Sequence, residues 1–315
     1  MDVLLSSPGL FFALGLLLSR LNKHTHLSKE VLRVLSIYLV ISIGLKGGKE
    51  LRELNALIAF QSVSLGGLLG LAHGALLFFC LNTFSKLPKS EVASLAAHYG
   101  SVSVGTFMVA VTFLKAQGIT FEPEMYLLLV AMECPAILIA LGMYQISHNQ
   151  SGFHLPTILR KVFYHETIVA LLFGLGVGIT AELSFLNSLR PFYMDLFMGV
   201  LTFFMVCMGM EAGAYWDQIK TVGIKFISLG VLMQFVGAML GLGAALLMQL
   251  SVGGVVLLMV LMGSASYIAA PCVMRESVPT ANNSAILLLS LGITFPLNVL
   301  FGIKSYFLLA SYLAL

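Results

Sequence analysis

Gly100-Ser101-Val102-Ser103-Val104-Gly105-Thr106 and Gly263-Ser264-Ala265-Ser266-Tyr267 interrupt two apolar runs where those runs should be densest. A helix broken inside an apolar segment frees backbone amides at the positive end of the helix dipole, which attracts anions. Ser and Thr hydroxyls add donors there without burying a charge. The carbonyls of the same stretch suit Na⁺, a hard cation that wants oxygen. One such stretch alone would be read as small residues letting helices pack closely. Two at symmetric positions favour a binding site. The second run then reaches Pro271, a helix breaker that lacks a backbone donor and disfavours helix in the residue before it.

The chain around them is strongly apolar. Of its 315 residues, 59% are hydrophobic and only 10% charged, against roughly 25% charged in soluble domains. At about 20 residues per membrane span, the apolar stock alone fills about nine spans. A soluble enzyme, a nucleic-acid binder and a disordered chain are excluded, because nothing would cover their surface. The net charge of +3 fits a basic cytoplasmic face. Cys80, Cys134, Cys207 and Cys272 form no CxxC pair, so they read as buried thiols rather than zinc ligands or disulfides.

Charged and turn-forming clusters divide the chain into ten candidate helices, at about 3–19, 31–46, 55–82, 92–114, 124–146, 162–182, 192–212, 222–249, 252–274 and 284–312. The first has Asp2 before it and its positive charges after it, the reverse of a secretory signal, so it reads as a retained span. Eleven of the Lys and Arg residues fall on the side reached after odd-numbered spans, and five on the other. The positive-inside rule then puts both termini outside the cytoplasm.

An internal repeat organises these spans. Gly44-Leu45-Lys46-Gly47-Gly48 closes span 2, and Gly209-Met210-Glu211-Ala212-Gly213 closes span 7. Gly70-xxx-Gly74 in span 3 is echoed by Gly237-xxx-Gly241 in span 8. The Gly-Ser stretch of span 4 is echoed in span 9, and Pro135 of span 5 by Pro296 of span 10. Five helices per copy give an odd number of crossings, so the second copy is inverted, as in secondary transporters. The fold expected is an all-α polytopic membrane protein. Its two inverted repeats, 1–150 and 151–315, would bring broken helices 4 and 9 together at the midplane.

Ionisable residues inside spans usually have a reason to be there. Glu133, in Glu133-Cys134-Pro135, sits beside a helix breaker and is the best candidate cation or proton ligand. Lys46 and Glu211 occupy matching positions near span ends, which suggests snorkelling. His73 and His98 read as hydrogen-bonded packing residues, and Arg275 as a gate or an interfacial anchor. His165-Glu166 begins like HExxH, but Val169 denies it a second zinc ligand. No phosphate loop or nucleophile elbow occurs, and the loops are too short for a nucleotide-driven pump. An intramembrane enzyme lacks an acid, base or metal cluster, and a sensor lacks an output domain.

The sequence resembles the cyanobacterial-type sodium-dependent bicarbonate transporter family. The resemblance rests on Gly44 through Gly48, Gly100 through Thr106, Glu133-Cys134-Pro135, Met208 through Ala212, Pro271 through Arg275 and Pro279 through Ala285. It covers nearly the whole chain and implies ten helices in inverted repeats, with a core domain moving against an oligomerisation domain. It also implies a homo-oligomer, commonly a trimer, and Na⁺-coupled uptake of a small anion. There are departures. The family's Ser-Gly-Ser-Thr is Ser103-Val104-Gly105-Thr106 here, its span 9 Asp is Tyr267, and its Asp-x-Pro is Glu133-x-Pro135. Family members are often regulated through the middle loop by a PII-like protein. That loop, about 147–161, is short and not acidic here, which argues against the partner.

The function expected is a symporter of the inner membrane that imports a small anion, bicarbonate first, with Na⁺ and no other cofactor. The alternative is a transporter of the same fold carrying another small solute with Na⁺ or H⁺. Ser101, Ser103, Gly105, Thr106, Ser264, Ser266 and Tyr267 are the substrate-site residues, and Glu133 and Ser266 the ion-coupling candidates.

Overall fold

The computed structural model of the chain describes residues 7–21, 29–52, 54–147, 160, 164 and 166–313. Every regular element among them is helical, because in lipid the backbone must satisfy its own hydrogen bonds. The helices are α1 (Ser7–Leu21), α2 (Lys29–Leu51), α3 (Ala56–Phe84), α4 (Lys89–Gly100), α5 (Val104–Ala116), α6 (Met125–Glu133) and α7 (Pro135–Ser147). Then come α8 (Glu166–Thr180), α9 (Leu183–Arg190), α10 (Phe197–Val222), α11 (Ile224–Leu247), α12 (Val252–Met262) and α13 (Ala269–Ser277). Last is α14, a helix over Asn283–Leu313 with π turns at Leu288–Thr294 and Asn298–Gly302.

Among the described residues, seven helical stretches are long and apolar enough to cross a membrane, and three shorter ones (Pro8–Leu21, Glu166–Thr180 and Val252–Met262) are also apolar. The chain is a multi-pass membrane protein. The expected loop near 183–191 is instead the short helix α9, which buries Leu186 and exposes most of its other side chains. The middle loop on which a regulator would act lies largely outside the described residues.

Glycines set how closely the helices approach. α2 lies along α8: a Cβ at Gly44 would come 2.8 Å from the Gly174 Cα, and one at Gly48 2.8 Å from the Gly178 Cα. α1 lies along α10 in the same manner: a Cβ at Gly15 would come 3.0 Å from the Gly209 Cα, and one at Gly213 would meet the Ser19 side chain. α3 packs on α4, α6 and α7, and α11 on α12. At Gly100 an added Cβ would lie 2.8 Å from the Gly74 Cα, and at Gly263 2.8 Å from the Ala238 Cβ. The helices thus sort into a group of α1, α2, α8 and α10, and a second group of α3–α7 with α11–α14. The groups meet mainly where α10 lies against α14, with smaller contacts of α2 with α5 and of α8 with α6.

The two breaks have local causes. Residues 101–103 are extended, so α4 ends at Gly100 and α5 starts at Val104 with Ser103 as its cap. The second break spans 263–268, between α12 and α13. Pro271, read in sequence as a breaker, lies inside the first turn of α13, where its missing N–H costs nothing. Pro135 likewise opens α7.

Candidate functional site

The two breaks cross and tie to each other. The Ser103 amide donates to the Ser264 hydroxyl at 3.0 Å, and the Ser266 amide donates to the His98 carbonyl at 2.8 Å. Each break therefore satisfies part of the backbone that the other leaves without an intrahelical partner. The Gly263 carbonyl, also freed by the break, accepts from the Asn298 side chain at 2.9 Å, and Tyr306 donates to Asn298 at 3.1 Å. Asn298 opens a π turn of α14, a local widening found often at functional sites.

Hydroxyls cap the starts of the two second half-helices. Ser103 Oγ accepts from the Thr106 amide at 3.2 Å and from the Thr106 hydroxyl at 2.8 Å. A hydroxyl has two acceptor lone pairs and one proton, so Ser103 is left with its proton to offer. Ser266 Oγ accepts from the Ala270 amide at 3.1 Å and likewise keeps a proton. Ser264 Oγ donates to the Leu261 carbonyl at 3.1 Å, and Ser101 Oγ to the Glu133 carbonyl at 2.7 Å. All five of these hydroxyl residues are buried.

Ser103, Glu133, Ser266 and Tyr267 line one cavity, together with Val102, Val104, Thr167 and Ile268. Its volume is ≈ 10 Å³, about one water-sized probe and too small for a three-oxygen anion. Glu133 is buried at the end of α6, beside the α6–α7 interruption. The Tyr267 ring packs edge-on against Phe295, with centroids 5.3 Å apart. Its hydroxyl faces Ser103 but makes no hydrogen bond of ordinary geometry. Gly105 lies directly beneath it, where an added Cβ would collide with the phenol oxygen.

All eight residues expected at the site are thus brought together. Ser103, Glu133, Ser266 and Tyr267 touch the cavity, Thr106 and Ser264 bond to Ser103, Ser101 bonds to Glu133, and Gly105 makes room for Tyr267. Sequence reading missed Thr167, the His98 carbonyl and Asn298. Only Asn298 carried a signal, as an amide inside an apolar run.

A larger cavity of ≈ 310 Å³ adjoins the site, sharing Thr167, Tyr267 and Ile268 with it. Arg33 and Glu166 lie in its wall as an ion pair, with Glu211 nearby. Tyr267 and Ile268 therefore stand between the crossing and this vestibule.

The family model for the Na⁺-dependent bicarbonate transporter superfamily matches residues 8–311. No curated protein matches the chain.

Proposed function

The chain belongs to the Na⁺-dependent bicarbonate transporter superfamily, a family of transporters rather than enzymes, and from that premise we propose that it imports bicarbonate by symport with Na⁺. The observation that carries the reading is the crossing itself, where Ser103 and Ser264 join two broken helices. Two second half-helices begin there, and their N-terminal dipole ends favour negative charge. Ser103 and Ser266 each retain a hydroxyl proton for an anion's oxygens. The Glu133 carboxylate and the carbonyls of the breaks offer oxygen to Na⁺. An anion and a cation held side by side lower each other's cost of burial, which couples their binding.

In this reading the chain has ten spans in two inverted repeats, over 1–150 and 151–315, in the inner membrane with both termini outside the cytoplasm. The paired glycine seams support the repeat. Gly44 on Gly174 in one seam corresponds to Gly209 on Gly15 in the other, the order expected when spans 1 and 2 match spans 6 and 7. Alternating access follows if the group carrying the breaks moves against α1, α2, α8 and α10, opening the closed site first to one face and then the other. The α1, α2, α8 and α10 group would then form the contact of a homo-oligomer, a trimer by family resemblance. The short middle loop gives no reason to include a PII-like regulator.

Thermal unfolding of the purified chain tests the assignment, since a ligand that binds only the folded state raises stability in proportion to its occupancy. Na⁺ and bicarbonate together should raise the melting temperature beyond the sum of their separate effects. Equal stabilisation by chloride or nitrate, or none that depends on Na⁺, would point to another solute or to H⁺ as the coupling ion.

A further inference from the structure

A second polar cavity, of ≈ 540 Å³, lies at the far end of α2 from the vestibule that adjoins the crossing. Arg33 and Lys46 mark the two ends. They are thirteen residues apart, about 20 Å along a helix. The charged side chains lining the cavity are Lys46, Lys49, Lys115 and Arg190, with Glu50 and Asp195. Both acids are already engaged, Glu50 with Lys115 at 3.4 Å and Asp195 with Arg190 at 3.4 Å. Among the described residues, that leaves Lys46 and Lys49 as the two excess positive charges. Lys49 is exposed, whereas Lys46 is half-buried, its ammonium held 3.8 Å from the centre of the Phe197 ring. A cation steadied on a ring face and walled by partly covered helix ends keeps much of its field, because less water screens it.

The other vestibule has the opposite balance. Among the described residues, Arg33 is neutralised by Glu166, and Glu211 remains as one negative charge. Glu211 is the residue that matches Lys46 in the second half of the chain. The cavities at the two ends of α2 thus carry opposite excess charges, from Lys46 and from its counterpart Glu211.

We propose that the Lys46 basin is an oxyanion-binding site, a collecting point that concentrates bicarbonate at one membrane face before it reaches the crossing. Glu211 correspondingly discourages anion return from the other face. Lys46 is its centre and Lys49 its outer charge, with Lys115 and Arg190 tied to their acids. The transport role rests on the symport reading above, whereas the binding role does not. Charged clefts of this kind raise local ligand concentration and association rates by about 10- to 1,000-fold in favourable cases, and salt suppresses the effect.

The test uses the full chain with its lysines reductively methylated with ¹³C, in nanodiscs of phosphatidylcholine. The methyl resonance missing from Lys46→Gln identifies Lys46. Bicarbonate is expected to shift that resonance where chloride does not, and to do so equally in a Ser103→Ala background. No shift, a shift that Ser103→Ala removes, or a shift produced by adding phosphatidylglycerol in place of bicarbonate overturns the proposal. In proteoliposomes, Lys46→Gln should raise the KM for bicarbonate about threefold to tenfold and flatten its dependence on ionic strength, with Vmax kept and Lys46→Arg restoring KM. An unchanged KM and salt dependence in an active Lys46→Gln overturns the collecting role. Absence of Na⁺-driven uptake in the wild type contradicts the symport reading alone, and the resonance shift then still decides the site.

Discussion

The amide of Ser103 and the hydroxyl of Ser264, 161 residues apart in sequence, are 3.0 Å apart at the crossing of the two broken helices. Replacing Ser264 by Ala removes the acceptor and leaves a buried amide without its partner, a cost of about 1–3 kcal/mol. Ser264→Ala should lower the melting temperature and sharply reduce uptake, while Ser264→Thr, which keeps the hydroxyl, retains much of both. Equal loss in both variants would mean that shape rather than the hydrogen bond matters at this position.

Gly105 and Tyr267 form a steric pair. A Cβ at Gly105 meets the phenol oxygen, so Gly105→Ala should displace the Tyr267 ring from its edge-on contact with Phe295. Overpacking of this kind costs typically about 1–3 kcal/mol. Removing the oxygen with Tyr267→Phe should recover a large part of the uptake lost in Gly105→Ala. A double-variant cycle that is simply additive would separate the two residues.

The glycine seams predict matched sensitivity in the two halves. Gly44→Val drives side-chain atoms into the Gly174 backbone, and Gly209→Val does the same to Gly15. Each should lower thermal stability of the purified chain, by about 1–3 kcal/mol or more. Gly67→Ala and Gly243→Ala, where an added Cβ meets nothing within 4 Å, should be neutral or slightly stabilising, since Ala is the better helix former. If all four behave alike, helix propensity governs and close approach does not.

Arg33 and Glu166 pair at the wall of the vestibule that adjoins the crossing. The pair is partly exposed, so its contribution to stability is small, at most about 1 kcal/mol. Glu166→Gln should therefore leave the melting temperature nearly unchanged. If the pair helps close that face, the same variant should change the solvent accessibility of a cysteine placed at Ile268. Labelling indistinguishable from the parent would leave the pair no part in closure.

Much of this site is legible in the sequence, because polar residues stand out against an apolar run. The Gly-Ser stretches and Glu133-x-Pro135 were visible for that reason, and their symmetric placement suggested that they meet. Thr167 gave no such warning, since it follows a charged residue at a span end, where threonine is ordinary. The His98 contribution is a backbone carbonyl, which any residue type supplies and no sequence pattern marks. Pro271 reads in sequence as a helix breaker, yet it lies in the first turn of the next half-helix, because proline is tolerated in a first turn and excluded only further in. Lys46 looked like a snorkelling residue. What sequence could not show is the partner geometry, with Glu50 and Asp195 taken by other cations and Phe197 beneath the ammonium.

Movement of bicarbonate with Na⁺ through the crossing underlies the proposed function. It is tested most directly by uptake of labelled bicarbonate into proteoliposomes under an inward Na⁺ gradient, comparing the wild type with a folded Ser103→Ala/Ser266→Ala variant. The expected result is accumulation in the wild type that collapses when the Na⁺ gradient is dissipated, and little or none in the variant. Accumulation indifferent to Na⁺, or equal in the two proteins, would contradict it.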